Sequence, residues 1–129
     1  MDKYLIINAD DFGMCHAHNQ ATMDLFKCGG ITSATIMAPC PWAFEAVKFA
    51  KANPEYAIGV HLTTTSEWGT YRWAPVAGDK VPSLTDNEGF MFHGCADFAA
   101  SADINEVATE CVAQIERLRA MGLEPSHFD

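Results

Sequence analysis

Residues 4–13 read YLIINADDFG, and the fold turns on where in this stretch a strand ends and a turn begins. Tyr4, Leu5, Ile6 and Ile7 are aromatic or aliphatic on both faces, which predicts a strand over about residues 3 to 9 in a covered parallel sheet. Asp10 and Asp11 come directly after it. Adjacent carboxylates repel, so the pair is tolerated best where a cation, a proton or water separates the charges. The alternative is a helix cap, with either aspartate accepting backbone N–H bonds ahead of a helix near Cys15 to Phe26.

Outward from this stretch the elements alternate. Cys28-Gly29-Gly30 stops the first helix, and Ile31 to Ala38 reads as a second strand closed by Pro39 and Pro41. A second helix is expected from about Pro41 to Ala52, with Trp42, Ala46 and Phe49 on one face, ended by Asn53-Pro54. A third strand is expected over about Tyr56 to Leu62. Strand, helix, strand, helix, strand implies parallel strands joined by crossovers, an α/β fold. From Thr63 to about Ala102 the pattern is lost among glycines, prolines and aromatics, so residues 63–102 read as a loop-rich insertion within one domain spanning residues 1–129. Helical spacing of Ile104, Val107, Cys111, Ile115 and Leu118 predicts a last helix from Asp103 to Met121, capped by Asp103 or Asn105. Residues 123–129 then read as the start of a fourth strand.

Composition narrows the partners. With 129 residues, 49% of them hydrophobic, the chain can bury one sizeable core. Seventeen acidic against eight basic residues, a net charge of −9, argue against nucleic acid and for a neutral or cationic small substrate. No apolar stretch approaches the ~20 residues of a membrane span, and the N-terminus lacks a signal-peptide layout, so a cytoplasmic location and no membrane partner are expected. Five cysteines without CxxC spacing read as reduced thiols.

Functional groups in parallel α/β sheets collect at the carboxyl ends of strands. Asp10 and Asp11 end the first predicted strand, His61 the third, and His127 lies in the fourth. An aspartate with two histidines offers oxygen and nitrogen donors suited to a divalent metal. Taken singly, His61 also fits a hydrogen-bonded core histidine and His127 a terminal residue.

The motifs NADDFG, ITSATIM, GVHL and SHFD, in this order over Tyr4 to Asp129, together with the helix stretch ECVAQIERLRAMGLEPSHFD, resemble the YdjC-like carbohydrate deacetylase family, which includes chito-oligosaccharide deacetylases. The resemblance implies a distorted (β/α) barrel that removes acetyl groups from N-acetylated sugars or oligosaccharides with a divalent metal, Mg2+ or Zn2+. Carried over by motif, Asp11, His61 and His127 would be metal ligands and Asp10 the catalytic base. It also implies a longer chain: a closed barrel needs roughly 200 residues, so these 129 would form its N-terminal portion. A half-barrel exposes apolar edges, which favours a homo-oligomer. An incomplete fragment or a sugar-binding module that keeps the fold is the alternative.

Amide hydrolysis needs an activated water, a stabilised oxyanion and a proton for the departing amine. Metal and Asp10 would meet the first two needs. No residue stands out as the general acid; His16, His18 and His93 qualify only by type. In the insertion, Trp68, Tyr71 and Trp73 could stack on sugar rings while Glu67 and Arg72 bond hydroxyl or acetamido groups. Equally, these aromatics could only pack the insertion onto the sheet.

Overall fold

The computed structural model describes residues 2–129. Three parallel strands, β1 (Asn8–Phe12), β2 (Ser33–Met37) and β3 (Ala57–His61), lie in the order β1-β2-β3, connected by helices α1 (His16–Cys28) and α2 (Ala43–Ala52). Helices α3 (Cys95–Ser101) and α4 (Ile104–Ala120) come after the sheet in the chain. Among the described residues no helix is long and apolar enough to cross a membrane.

The first strand begins later than its apolar run. Parallel pairing starts where Asn8 meets Ser33, the first residue of β2, so residues 4–7 precede the ladder. Tyr4, Leu5 and Ile6 are exposed, Tyr4 at 92%, and only the backbone of Ile7 is engaged, through Thr32 and Ser33. The strand is therefore NADDF, with both aspartates inside it rather than beyond it. The helix-cap reading is also overturned. Cys15 occupies the cap position of α1 in extended backbone, with no side-chain cap bond.

Alternation sorts the sheet's two faces. Ala34 and Ile36 of β2, with Ile58 and Val60 of β3, meet α1, α2 and Leu118 of α4 in one core, where Phe12 and Val47 are buried. Burying each such aliphatic side chain contributes ~1.5–3 kcal/mol. Ser33, Thr35 and Met37 face the opposite side. There the insertion closes over Met37 and Cys40 with Trp73 and Met91.

Residues 126–129 add to the free edge of β3 in parallel. Ser126 N–H donates to Ile58 O (3.0 Å), Val60 N–H to His127 O (2.9 Å), and Leu62 N–H to Asp129 O (3.2 Å). Gly59 makes this approach possible. A Cβ there would collide with the His127 carbonyl.

Helix α4 keeps most of its expected face, with Leu118 in the core, Ile115 packed against it and Val107 and Cys111 half-buried. Asp103 caps it, accepting from Asn105 N–H at 2.8 Å, but Ile104 is 74% exposed and the buried line is Glu110, Gln114 and Leu118. The polar pair is buried because the insertion's peptide groups need partners there. Glu110 accepts from the amides of Val76 (2.9 Å) and Ala77 (2.8 Å), and Gln114 bonds both the N–H and the carbonyl of Thr63.

Candidate active site

The strand β1 carries an irregularity where the aspartates stand. Ala9 pairs with Ala34 and Phe12 with Ile36, so Asp10 and Asp11 together oppose Thr35: one extra residue, a β-bulge. Asp11 takes up the excess in a left-handed conformation at φ 59°, which costs most side-chain-bearing residues ~1–2 kcal/mol and aspartate or asparagine less. Gly13, at φ 95°, completes the turn; a Cβ there would lie 2.9 Å from Ala43 Cα. Buried Asn19 holds the turn, accepting from Gly13 N–H and donating to Trp42 O and Glu45. The bulge breaks the period of two, and both carboxylates join one polar cluster.

The cluster centres on Asp129. Its Oδ1 lies 2.9 Å from His61 Nδ1, while its Oδ2 accepts from Thr35 Oγ1 (2.8 Å) and Asn8 Nδ2 (3.0 Å). Asn8 Nδ2 also donates to Asp10 Oδ1 at 2.7 Å. On the far side of the imidazole, His61 Nε2 faces Asp11 Oδ1 at 3.4 Å. Because a carboxylate only accepts, Asp129 keeps a proton on His61 Nδ1, so that in the neutral ring Nε2 is the nitrogen left bare, with its lone pair toward Asp11. Two lone-pair atoms facing each other suit a shared cation or proton. The recess beside them, about 190 Å³, is lined by Asp11, His61, Thr63, Glu67 and Trp73 among others.

His127 is not brought into this pair. Its Nδ1 lies 2.9 Å from Ser126 Oγ, and that hydroxyl gives its own proton to Ile58 O at 3.1 Å. Nδ1 therefore donates, and Nε2 is again the free nitrogen. Among the described residues, no group of three or more histidine, cysteine or acidic side chains is arranged to hold a metal ion. The chemistry of the donor set nonetheless fits a divalent metal: one carboxylate and two imidazoles, each histidine with Nδ1 committed and Nε2 left to coordinate.

The other expected residues separate by position. Glu67 lines the recess and accepts from Thr65 Oγ1 at 2.9 Å. Trp68 is 55% exposed and, with Met14, Cys15 and Tyr71, walls an apolar hollow of about 240 Å³. Tyr71 donates its hydroxyl proton to Met14 O at 2.5 Å, and burial pushes its phenol pKa up. Trp73 is buried, donating Nε1–H to Thr65 O. Arg72 lies inside the insertion: Nη2 donates to Asp86 Oδ2 and Met91 O, both at 2.7 Å, and the guanidinium covers the Phe90 ring.

Of the histidines considered as acids, His93 is exposed, His18 Nε2 donates to the Asp10 carbonyl at 2.9 Å, and His16 bonds Glu45 at 3.0 Å with its ring tilted against Trp42. Burial raises the Glu45 pKa, but hydrogen bonds from Asn19 and His16 outweigh it and hold the carboxyl below its usual range. Burial drives the Cys40 thiol pKa to about 12, which removes it as a nucleophile. A larger hollow of about 400 Å³ beside Lys51, Tyr56 and Glu124 contains neither the aspartates nor an imidazole.

Sequence reasoning missed Asn8, Thr35 and Asp129. The period of a strand offered a signal for two of them, since Asn8 shares a face with Asp10, and Asp129 with His127.

Comparison with known proteins places the chain in a family. The family described as YdjC-like protein matches residues 4–129. A carbohydrate deacetylase of Geobacillus stearothermophilus is 37% identical over 129 residues, all of this chain and 49% of that protein. One from Brevibacillus brevis is 39% identical over 97% of this chain and 47% of its own length. A crystal structure from Enterococcus faecalis V583, of a protein described as a candidate for cellobiose-phosphate cleavage, superposes with a TM-score of 0.86 at 37% identity, covering 96% of this chain and 46% of that one. The chain spans about half the length of the curated relatives it matches. With its match running from Tyr4 to Asp129, the chain belongs to the YdjC-like protein family.

Proposed function

We propose that this chain carries the metal-binding and base half of a carbohydrate deacetylase, a hydrolase that removes acetyl groups from N-acetylated sugars or oligosaccharides. The observation that carries the reading is His61 Nε2 turned toward Asp11 Oδ1 at 3.4 Å, with Nδ1 tied to Asp129 at 2.9 Å. Asp11, His61 and His127 would hold the ion. A divalent metal, Mg2+ or Zn2+, supplies Lewis acidity there, making a water more acidic and polarising the acetyl carbonyl.

The chain's own residues supply the base and the surface for the sugar. Asp10 accepts the water's proton; the Asn8 amide on its Oδ1 steers the carboxylate and leaves the other oxygen for that proton. The bulge lets Asp10 and Asp11 act on one centre, because regular alternation would send them to opposite faces. Trp68 and Tyr71 offer apolar surface to a sugar ring, and Glu67 an acceptor for its hydroxyls. Arg72 and Trp73 act on substrate indirectly, by shaping the insertion. The sequential strand order, with α1, α2 and α4 sharing a core on one face, supports a (β/α) barrel wall. Exposed Tyr4, Leu5 and Ile6 beside β1 support association of this chain with a further copy.

The test is acetate release from N-acetylglucosamine oligomers by the purified chain, with and without divalent metal, beside Asp10→Asn. Metal-dependent release lost in Asp10→Asn is expected. Release unaffected by chelation would overturn the reading. A second reading, a sugar-binding module without turnover, is favoured by the apolar hollow of Met14, Cys15, Trp68 and Tyr71, which needs no metal to receive a sugar face. It requires oligomer binding unchanged by chelation and no acetate.

A further inference from the structure

We propose that Asp129 is a positioning residue: it locks His61 in the Nδ1–H tautomer and so decides that a lone pair, rather than a proton, faces Asp11. Its effect on metal affinity rests on the metal-site reading of Asp11, His61 and His127; the tautomer itself does not.

The lock is built from three strands and the terminal segment. Ser33 Oγ donates to Asn8 Oδ1 at 2.6 Å, which fixes the Asn8 amide with its nitrogen toward Asp129. Thr35 Oγ1 directs its one proton to the same Asp129 oxygen, Oδ2, at 2.8 Å. Two donors thus converge on Oδ2 from β1 and β2, and Oδ1 is left to His61 Nδ1 at 2.9 Å. The carboxylate has no proton to offer, so the ring must. No regular strand feature requires this arrangement: the backbone of Asp129 is already paired with Val60 and Leu62, and the side chain's bonds are additional.

The same geometry singles out one substitution. In Asp129→Asn the amide oxygen must occupy the Oδ2 position to receive Thr35 and Asn8. Its NH2 then falls where Oδ1 stood and confronts His61 Nδ1, which must become the acceptor. The ring proton moves to Nε2, toward Asp11. The variant keeps shape and volume and reverses one tautomer, the effect by which an aspartate-to-asparagine change disables a catalytic histidine elsewhere.

The experiment is long-range 1H–15N correlation of the histidine rings in the 15N-labelled, metal-free protein, at a pH about two units above the ordinary imidazole pKa of ~6.5. The expected spectrum of the unmodified protein has His61 protonated at Nδ1 and bare at Nε2, and Asp129→Asn reverses it. In parallel titrations with Zn2+ alone, the variant is expected to bind ~10–100-fold more weakly. A His61 ring protonated at Nε2 in the unmodified protein overturns the proposal, with no variant needed. So does a folded Asp129→Asn whose His61 tautomer is unchanged, since a purely structural aspartate would lower stability without moving the ring proton. If the tautomer behaves as expected but Zn2+ does not bind even the unmodified protein, the metal-site reading falls and the positioning role stands.

Discussion

Asp11 holds two properties that pull apart under substitution. Its φ of 59° favours residues whose short polar side chain tolerates left-handed backbone, aspartate and asparagine above alanine. Asp11→Asn is therefore expected to unfold at nearly the parent's denaturant midpoint, and Asp11→Ala to lose ~1 kcal/mol, although both remove the charge that faces His61. Equal midpoints for the two variants in urea would show that the bulge does not strain this residue. Cysteine chemistry separates by burial in the same way. Brief alkylation of the native protein is expected to mark exposed Cys28 and Cys95 and leave Cys40 unmodified, its thiol held neutral by a pKa of about 12; mass spectrometry of the peptides reads this directly. At this scale the sequence offered the residue types Asp10, Asp11, His61 and His127 but not their arrangement. No local pattern marks Asp11 for left-handed backbone, and the bond between Asp129 and His61 spans 68 positions.

Each element boundary that misleads has a physical cause. The apolar Tyr4–Ile7 run reads like β1, yet a parallel strand exists only where its neighbour does, and β2 starts opposite Asn8. Helix α3 lies hidden in the loop-rich insertion because it buries none of its residues and so has no apolar period to detect. β2, β3, α1 and α2 are legible to within two residues, since Gly29 at φ 74° and the Asn53-Pro54 turn stop the helices by local chemistry. Two elements give predictions. Gly59→Ala is expected to displace residues 126–129 from the edge of β3, because its methyl collides with the His127 carbonyl; faster amide exchange at Val60 and Leu62 would register it, and unchanged protection there would contradict it. Glu110→Ala strips the partner from two amides of the insertion, an expected loss of ~2–4 kcal/mol in denaturant unfolding, whereas a loss under ~1 kcal/mol would mean that Val76 and Ala77 reach water instead.

The whole molecule assembles its site from every segment the alternating pattern provides. The bulge of β1, Thr35 of β2, His61 at the end of β3 and Asp129 beside it meet at one rim, and α4 pins the insertion above them through Glu110 and Gln114. That convergence is why a one-residue irregularity in β1 matters: it brings the carboxylates of two neighbours in sequence into one polar cluster. The central claim is that Asp11 is a ligand and Asp10 a base, so the deciding measurement is calorimetric titration of a divalent metal, Zn2+ or Mn2+, into the unmodified protein, Asp11→Asn and Asp10→Asn. One ion per chain, bound by the unmodified protein and by Asp10→Asn but lost in Asp11→Asn, is the expected result. Equal loss in both variants, or binding unchanged in Asp11→Asn, would contradict the division of roles.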